Sequence, residues 1–161
     1  MNSREHFARC FKAEKPTFLK VFRALPADQL SYRPHPRSTS AGDLVWLLAG
    51  ELNDACDLID HHEVAFKPTP APARLDDAIG VYEKNGAELE RRLAKVDDTA
   101  WATSSKFLVD GNVAWEAPLG DMLWGFLFDA IHHRGQLSAY IRPMGGKVPS
   151  IYGPSADDPG M

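Results

Sequence analysis

Four long segments of this chain carry apolar residues at helical spacing, and proline-bearing stretches separate them. That pattern limits the fold more than any other feature, because each amphipathic helix must cover its apolar face with a neighbour. In the first segment, Ser3–Leu25, Phe7 and Phe11 are one turn apart, and Phe18, Val21, Phe22 and Leu25 continue the stripe. Ser3 is its expected cap. Pro16 either kinks this helix or opens a second piece of it, and Pro26 ends it. Residues 26–39, with Pro26, Pro34 and Pro36, read as a loop. The second helix is expected from Ser40, with Asp43 as a capping acid, to about Asp60. Leu44, Val45, Leu47, Leu48, Leu52, Cys56 and Leu58 form its apolar positions.

Residues 62–74 contain Pro68, Pro70 and Pro72 and read as an extended, proline-stiffened connection. A third helix is expected over about Leu75–Val96, striped by Ile79, Tyr82, Leu89 and Leu93. Within residues 97–118, Asp110-Gly111 separates two short apolar runs, which predicts a small hairpin. Pro118 then opens the last helix, which should run to about Arg142. The tail, residues 143–161, holds four prolines and four glycines and cannot be helical. Its Tyr152 points to ordered packing, either as a lid over the bundle mouth or as a clasp on the dimer or on the outside of the bundle, with only Ala156–Met161 fraying. The expectation is one domain over residues 1–161. Its class is all-α: a four-helix bundle with a short hairpin or loop before the last helix and an ordered Pro/Gly-rich tail.

Charge removes several function classes. Eighteen Lys and Arg against 22 Asp and Glu give a net charge of −4, which is the wrong sign for a nucleic-acid footprint. No apolar run approaches the ~20 residues of a membrane span. The polar start predicts no secretory leader. Cys10 and Cys56 have no CxxC partner and read as free thiols in a reducing, cytoplasmic setting. His6 and His35 carry no partner signal, His61 and His62 suit a helix end, and the four tryptophans are most simply core.

The chemistry concentrates in the last helix. Asp129 and His133 are one turn apart on the border of an apolar face made by Met122, Phe126, Ala130, Leu137 and Tyr140. A carboxylate and an imidazole so spaced can point at one centre, as metal ligands or as a simple hydrogen-bonded pair. A third group must come from another helix. Glu51 borders the inward face of the second helix, with Asp54 one turn on. Glu51, Asp129 and His133 together suit Zn²⁺, Fe²⁺, Mn²⁺ or Ni²⁺. No catalytic residue beyond these ligands is assigned. Arg134, Gln136, Tyr140 and Tyr152 are candidates for orienting a substrate, although Arg134 more simply makes an ion pair and Tyr140 more simply packs.

The string Asp129-Ala130-Ile131-His132-His133-Arg134-Gly135-Gln136-Leu137, followed by Pro143-Met144-Gly145-Gly146 and Ile151-Tyr152-Gly153-Pro154, resembles the DinB/YfiT-like family. The resemblance extends to the entry of the second helix, Ser40–Glu51, and so covers most of the chain. It implies a bundle connected up-down-down-up, homodimerisation, and a metal held by three histidines. Of those three positions, His133 matches, Asp129 stands where the family has histidine, and Leu47 stands at the helix-two ligand. Leucine cannot ligate, and Glu51 one turn later is the replacement on the same face. Characterised relatives include metal-dependent transferases of low-molecular-weight thiols and hydrolase-like members. Two readings follow. One is a divalent-metal enzyme of the thiol S-transferase or hydrolase type using Glu51, Asp129 and His133. The other is a metal-free dimeric bundle, structural or binding a small ligand, in which Leu47 marks a lost site.

Overall fold

The computed structural model describes residues 2–160. The elements run α1 (Ser3–Arg23), α2 (Ala41–His61), β1 (Glu63–Ala65), α3 (Leu75–Leu93), α4 (Asp98–Ala102), β2 (Ser104–Val109), β3 (Asn112–Pro118) and α5 (Leu119–Ile141). The all-α expectation, and with it the plain four-helix bundle, is therefore wrong. There are five helices among the described residues, and β1, β2 and β3 form a mixed three-stranded sheet in that order.

The long helices form where the apolar spacing predicts. The cap of α1 is Asn2, not Ser3: Asn2 Oδ1 accepts from the Glu5 backbone N–H, and Glu5 Oε2 accepts from the Asn2 N–H. Pro16 sits inside one continuous α1. Ser40 caps α2, accepting from the Asp43 N–H and donating its own hydroxyl to the Asp43 carboxylate at 2.6 Å. His62 closes α2 in the left-handed region, φ 55°. Phe7, Phe11, Phe18, Val21 and Phe22 of α1 meet Leu44, Leu48 and Leu58 of α2, Tyr82 and Leu89 of α3, and Leu119, Met122, Leu123 and Leu137 of α5 in one buried core. At roughly 25 cal/mol per Å² of apolar surface removed from water, this burial is the main stabilising term.

The sheet has two origins. The Asp110-Gly111 turn has φ 51° and 77°, both positive, as a tight hairpin turn requires, and it joins antiparallel β2 and β3. β1 is the unexpected element. Glu63, Val64 and Ala65 pair in parallel with Lys106, Phe107 and Leu108 inside what reads as a loop. Three residues are too few to show alternation, and a parallel partner is never a sequence neighbour. α4 was likewise not anticipated. Asp97 caps it by accepting from the Ala100 N–H, and it lays Trp101 on the first turn of α5. A methyl group at Gly120 would lie 2.3 Å from the Trp101 ring. Gly120→Ala should therefore cost about 1–3 kcal/mol through forced repacking. Chemical denaturation checks this, and an unchanged midpoint would refute the close contact.

The four tryptophans are not core. None is buried: Trp46, Trp101 and Trp124 pack at the edges of the core, with Trp46 Nε1 donating to Thr69 at 3.0 Å, and Trp115 is exposed on the sheet. An indole N–H keeps a partner more easily at the rim than in the apolar centre. The tail is a clasp. Met144 O accepts from Gln29, Tyr152 bonds Glu14, and no described residue of the tail lines the cleft described below. Residues beyond Ala156 are held, too: Asp157 accepts from Arg142 and the Val148 N–H, and Asp158 accepts from the Ser150 N–H. Met161 lies outside the described residues. No helix among the described residues is long and apolar enough to cross a membrane.

Candidate metal centre

α2 and α5 pack side by side, which brings Glu51 of α2 against Asp129 and His133 of α5. One ligand atom from each of the three lies within 4.8 Å of the other two. Two ligands bound to one ion at about 2.0–2.2 Å are at most about 4.4 Å apart, so the cluster is near ligating separation. His133 Nε2 is 3.2 Å from Asp129 Oδ2. On the other side of the ring, His133 Nδ1 is 2.9 Å from the Gln136 amide oxygen. With that oxygen accepting, Nδ1 carries a proton and Nε2 is the ring nitrogen left facing Asp129. Outer partners of this kind orient ligating histidines. Gln136 Nε2 in turn lies 3.1 Å from His132 Nε2, so His132 supports the network from the surface.

Glu51 is the strained member. Its Oε2 is buried without any hydrogen-bond partner, the one such side-chain atom among the described residues. Burial, then a hydrogen bond and the charge of Asp129, then the charge of Asp54, push the Glu51 carboxyl from 4.5 up to about 9. Asp54 is itself pushed up to about 6, by burial first and then by Asp57. A lone pair buried without a donor, beside a second carboxylate and an imidazole nitrogen, is what a divalent cation satisfies. The donor set thus fits a metal.

Leu47 is half-buried one turn before Glu51 and offers only a hydrocarbon wall to the cleft. Arg134, Tyr140 and Tyr152 do not reach the cluster. Arg134 is 2% exposed and pairs with Glu14, Thr17 and Tyr152 on the α1 side. Tyr140 donates to the Thr39 carbonyl at 3.3 Å. Of the substrate-orienting candidates only Gln136 is near, and its partners are the histidines. Its i+3 and i+4 spacing to His133 and His132 was the available signal. The far wall of the cleft in front of the cluster was not foreseen. The sheet makes its far wall, with Phe107 of β2 opposite Trp115 of β3, and Phe66 following β1.

A model of the DinB family matches residues 1–160. The chain belongs to the DinB family. Among curated relatives, it is 22% identical over 157 residues to the uncharacterized protein YrdA of Bacillus subtilis (strain 168), covering 96% of this chain and 90% of YrdA. The fold matches a DinB-like protein from Bacillus cereus ATCC 10987 with a TM-score of 0.76 at 20% identity, over 92% of this chain and 97% of that one. A DinB-like protein of Bacillus subtilis, YjoA, matches with a TM-score of 0.70 at 17% identity, over 88% and 93%. The mycothiol-dependent maleylpyruvate isomerase shares the fold at a TM-score of 0.56 and 11% identity, and 89% of this DinB chain spans 61% of that enzyme.

Proposed function

We propose that this DinB-family protein is a divalent-metal-dependent enzyme of the thiol S-transferase or hydrolase type, with Glu51, Asp129 and His133 as the metal ligands. The observation that carries the reading is the partnerless, buried Glu51 Oε2 in one cluster with Asp129 and the His133 imidazole, whose Nε2 faces Asp129. The shared fold of a mycothiol-dependent isomerase supports a low-molecular-weight thiol as one substrate. When bound, a divalent cation lowers the pKa of a ligated thiol or water to near neutrality. Gln136 holds the His133 ring in its ligating tautomer, and Leu47 with the aromatic wall gives the cleft an apolar lining.

Plasma mass spectrometry of untagged protein should find one equivalent of divalent metal, lost in His133→Ala and Glu51→Ala. Thiol-transfer and hydrolysis assays on the loaded protein then separate the two reaction types. Gln136→Leu should weaken metal binding about 10–100-fold while leaving all three ligands in place. Competition with a chromogenic chelator measures it. An unaltered affinity would mean that the Gln136 contact does not position His133.

Two observations favour the metal-free alternative. Leu47 offers no ligand, and Glu51 meets its burial by holding a proton. On that reading, no metal co-purifies and added Zn²⁺, Ni²⁺ or Mn²⁺ leaves the melting temperature unchanged.

A further inference from the structure

The cleft in front of Glu51 and Asp129 has a volume of about 520 Å³, within the range of small-molecule sites. Its walls are mainly hydrocarbon, and most of that is aromatic. Phe107 and Phe126 meet edge to face at 5.7 Å, and Phe66 packs on Phe107 at 6.3 Å. Trp115 reaches across to α5, where Gly125 leaves room for its ring; a methyl group there would lie 2.4 Å from it. Phe66 and Trp115 remain 38% and 37% exposed at the mouth, although each is large enough to favour burial.

The polar lining is of one sign. Glu51, Asp54 and Asp129 face the cleft, and no lysine or arginine lines it among the described residues. Lys67 lines the adjoining cleft, which shares Glu51 and Asp54 with this one and adds Asp43. A metal held by Glu51 and Asp129 would offset those two carboxylates and leave Asp54. An anionic ligand therefore meets no cationic side chain. A cation meets both carboxylate charge and the negative faces of the aromatic rings.

We propose that this cleft binds an aromatic or apolar molecule carrying an ammonium group, and selects against the corresponding carboxylate. As the second substrate of a thiol-using enzyme, such a molecule rests on the function proposed above; its binding does not need the metal.

The test uses three matched probes in EDTA: 3-phenylpropyltrimethylammonium, 3-phenylpropanol and 3-phenylpropanoate. Binding to the full chain is followed by ligand-observed NMR and by the Trp115 indole resonance. The ammonium should bind about tenfold or more tighter than the carboxylate, with the alcohol between them. Trp115→Ala should weaken the ammonium about fivefold. Asp54→Asn, which leaves every aromatic wall intact, should narrow the ammonium-to-carboxylate ratio about threefold. Equal or tighter binding of the carboxylate overturns the proposal. So does the absence of saturable ammonium binding into the millimolar range, or a ratio that Asp54→Asn leaves unchanged. Because the metal is chelated throughout, a failure of metal binding overturns only the preceding reading.

Discussion

Glu51→Gln should raise the stability of the metal-free protein and abolish its response to metal. The two effects have opposite signs and one cause. A carboxyl pushed from 4.5 up to about 9 must take up or keep a proton on folding. Its neutral form therefore favours the folded state fully below pH ~4.5, and that contribution is lost as pH rises toward ~9. Asp54, pushed up to about 6, acts in the same direction over a lower window. The melting temperature of metal-free wild type should thus fall as pH is raised from ~5 to ~9. Glutamine keeps the shape, carries no charge and offers its own donor to Asp129. The variant should gain about 1–3 kcal/mol at pH 8 in EDTA and show a flatter pH profile. With excess Zn²⁺, wild type should gain stability by mass action, about 2.7 kcal/mol at one hundred times the dissociation constant, and the variant should gain little. Melting curves at pH 5, 7 and 9, with EDTA and with Zn²⁺, read both effects. A variant that still responds to Zn²⁺ like wild type removes Glu51 from the ligand set.

Arg134→Ala should destabilise the fold by about 3–5 kcal/mol, the usual result of removing one partner from a buried ion pair. The guanidinium is 2% exposed and Glu14, its partner on α1, is 17% exposed. It also bonds Thr17 and Tyr152, and stacks on Phe18 at 4.6 Å and Tyr152 at 4.9 Å. The same side chain therefore joins α5, α1 and the tail. Its loss takes the cation from the Glu14 carboxylate, which keeps the Thr17 hydroxyl at 3.2 Å and the Tyr152 hydroxyl at 3.0 Å, and removes the cation on which the Tyr152 ring stacks. The melting temperature should fall on the order of 10 °C. Pairing Arg134→Met with Glu14→Leu should recover most of the loss, because the pair is replaced by hydrocarbon of similar volume. A single-variant loss below about 1 kcal/mol would show that the pair contributes no more than a surface contact.

The helices and the candidate ligands were legible for the same reason. Helical periodicity is local, so the stripes of Phe7 and Phe11, of Leu44 and Leu48, and of Ile79 and Tyr82 place each helix and its inner face without a partner. Asp129 and His133 share a face of α5 by spacing alone, and Glu51 borders the inner face of α2. The Asp110-Gly111 turn is a two-residue signal, and it forms a hairpin.

The readings that failed are ones that need a distant partner. The all-α class fell because Glu63–Ala65 becomes a strand only when Lys106–Leu108 is beside it. The rim positions of the tryptophans, and the anchoring of Asp157 and Asp158, follow from neighbours that sequence spacing does not place. Arg134 sits beside His133 in sequence yet turns to Glu14 on α1, while His133 turns to α2. Sequence alone thus determined which faces of the helices turn inward, because that depends on residues within a few positions of one another. The sheet, the cleft it walls and the environment that holds the Glu51 proton were decided by tertiary packing. They exist only after segments far apart in the chain have excluded water from one another.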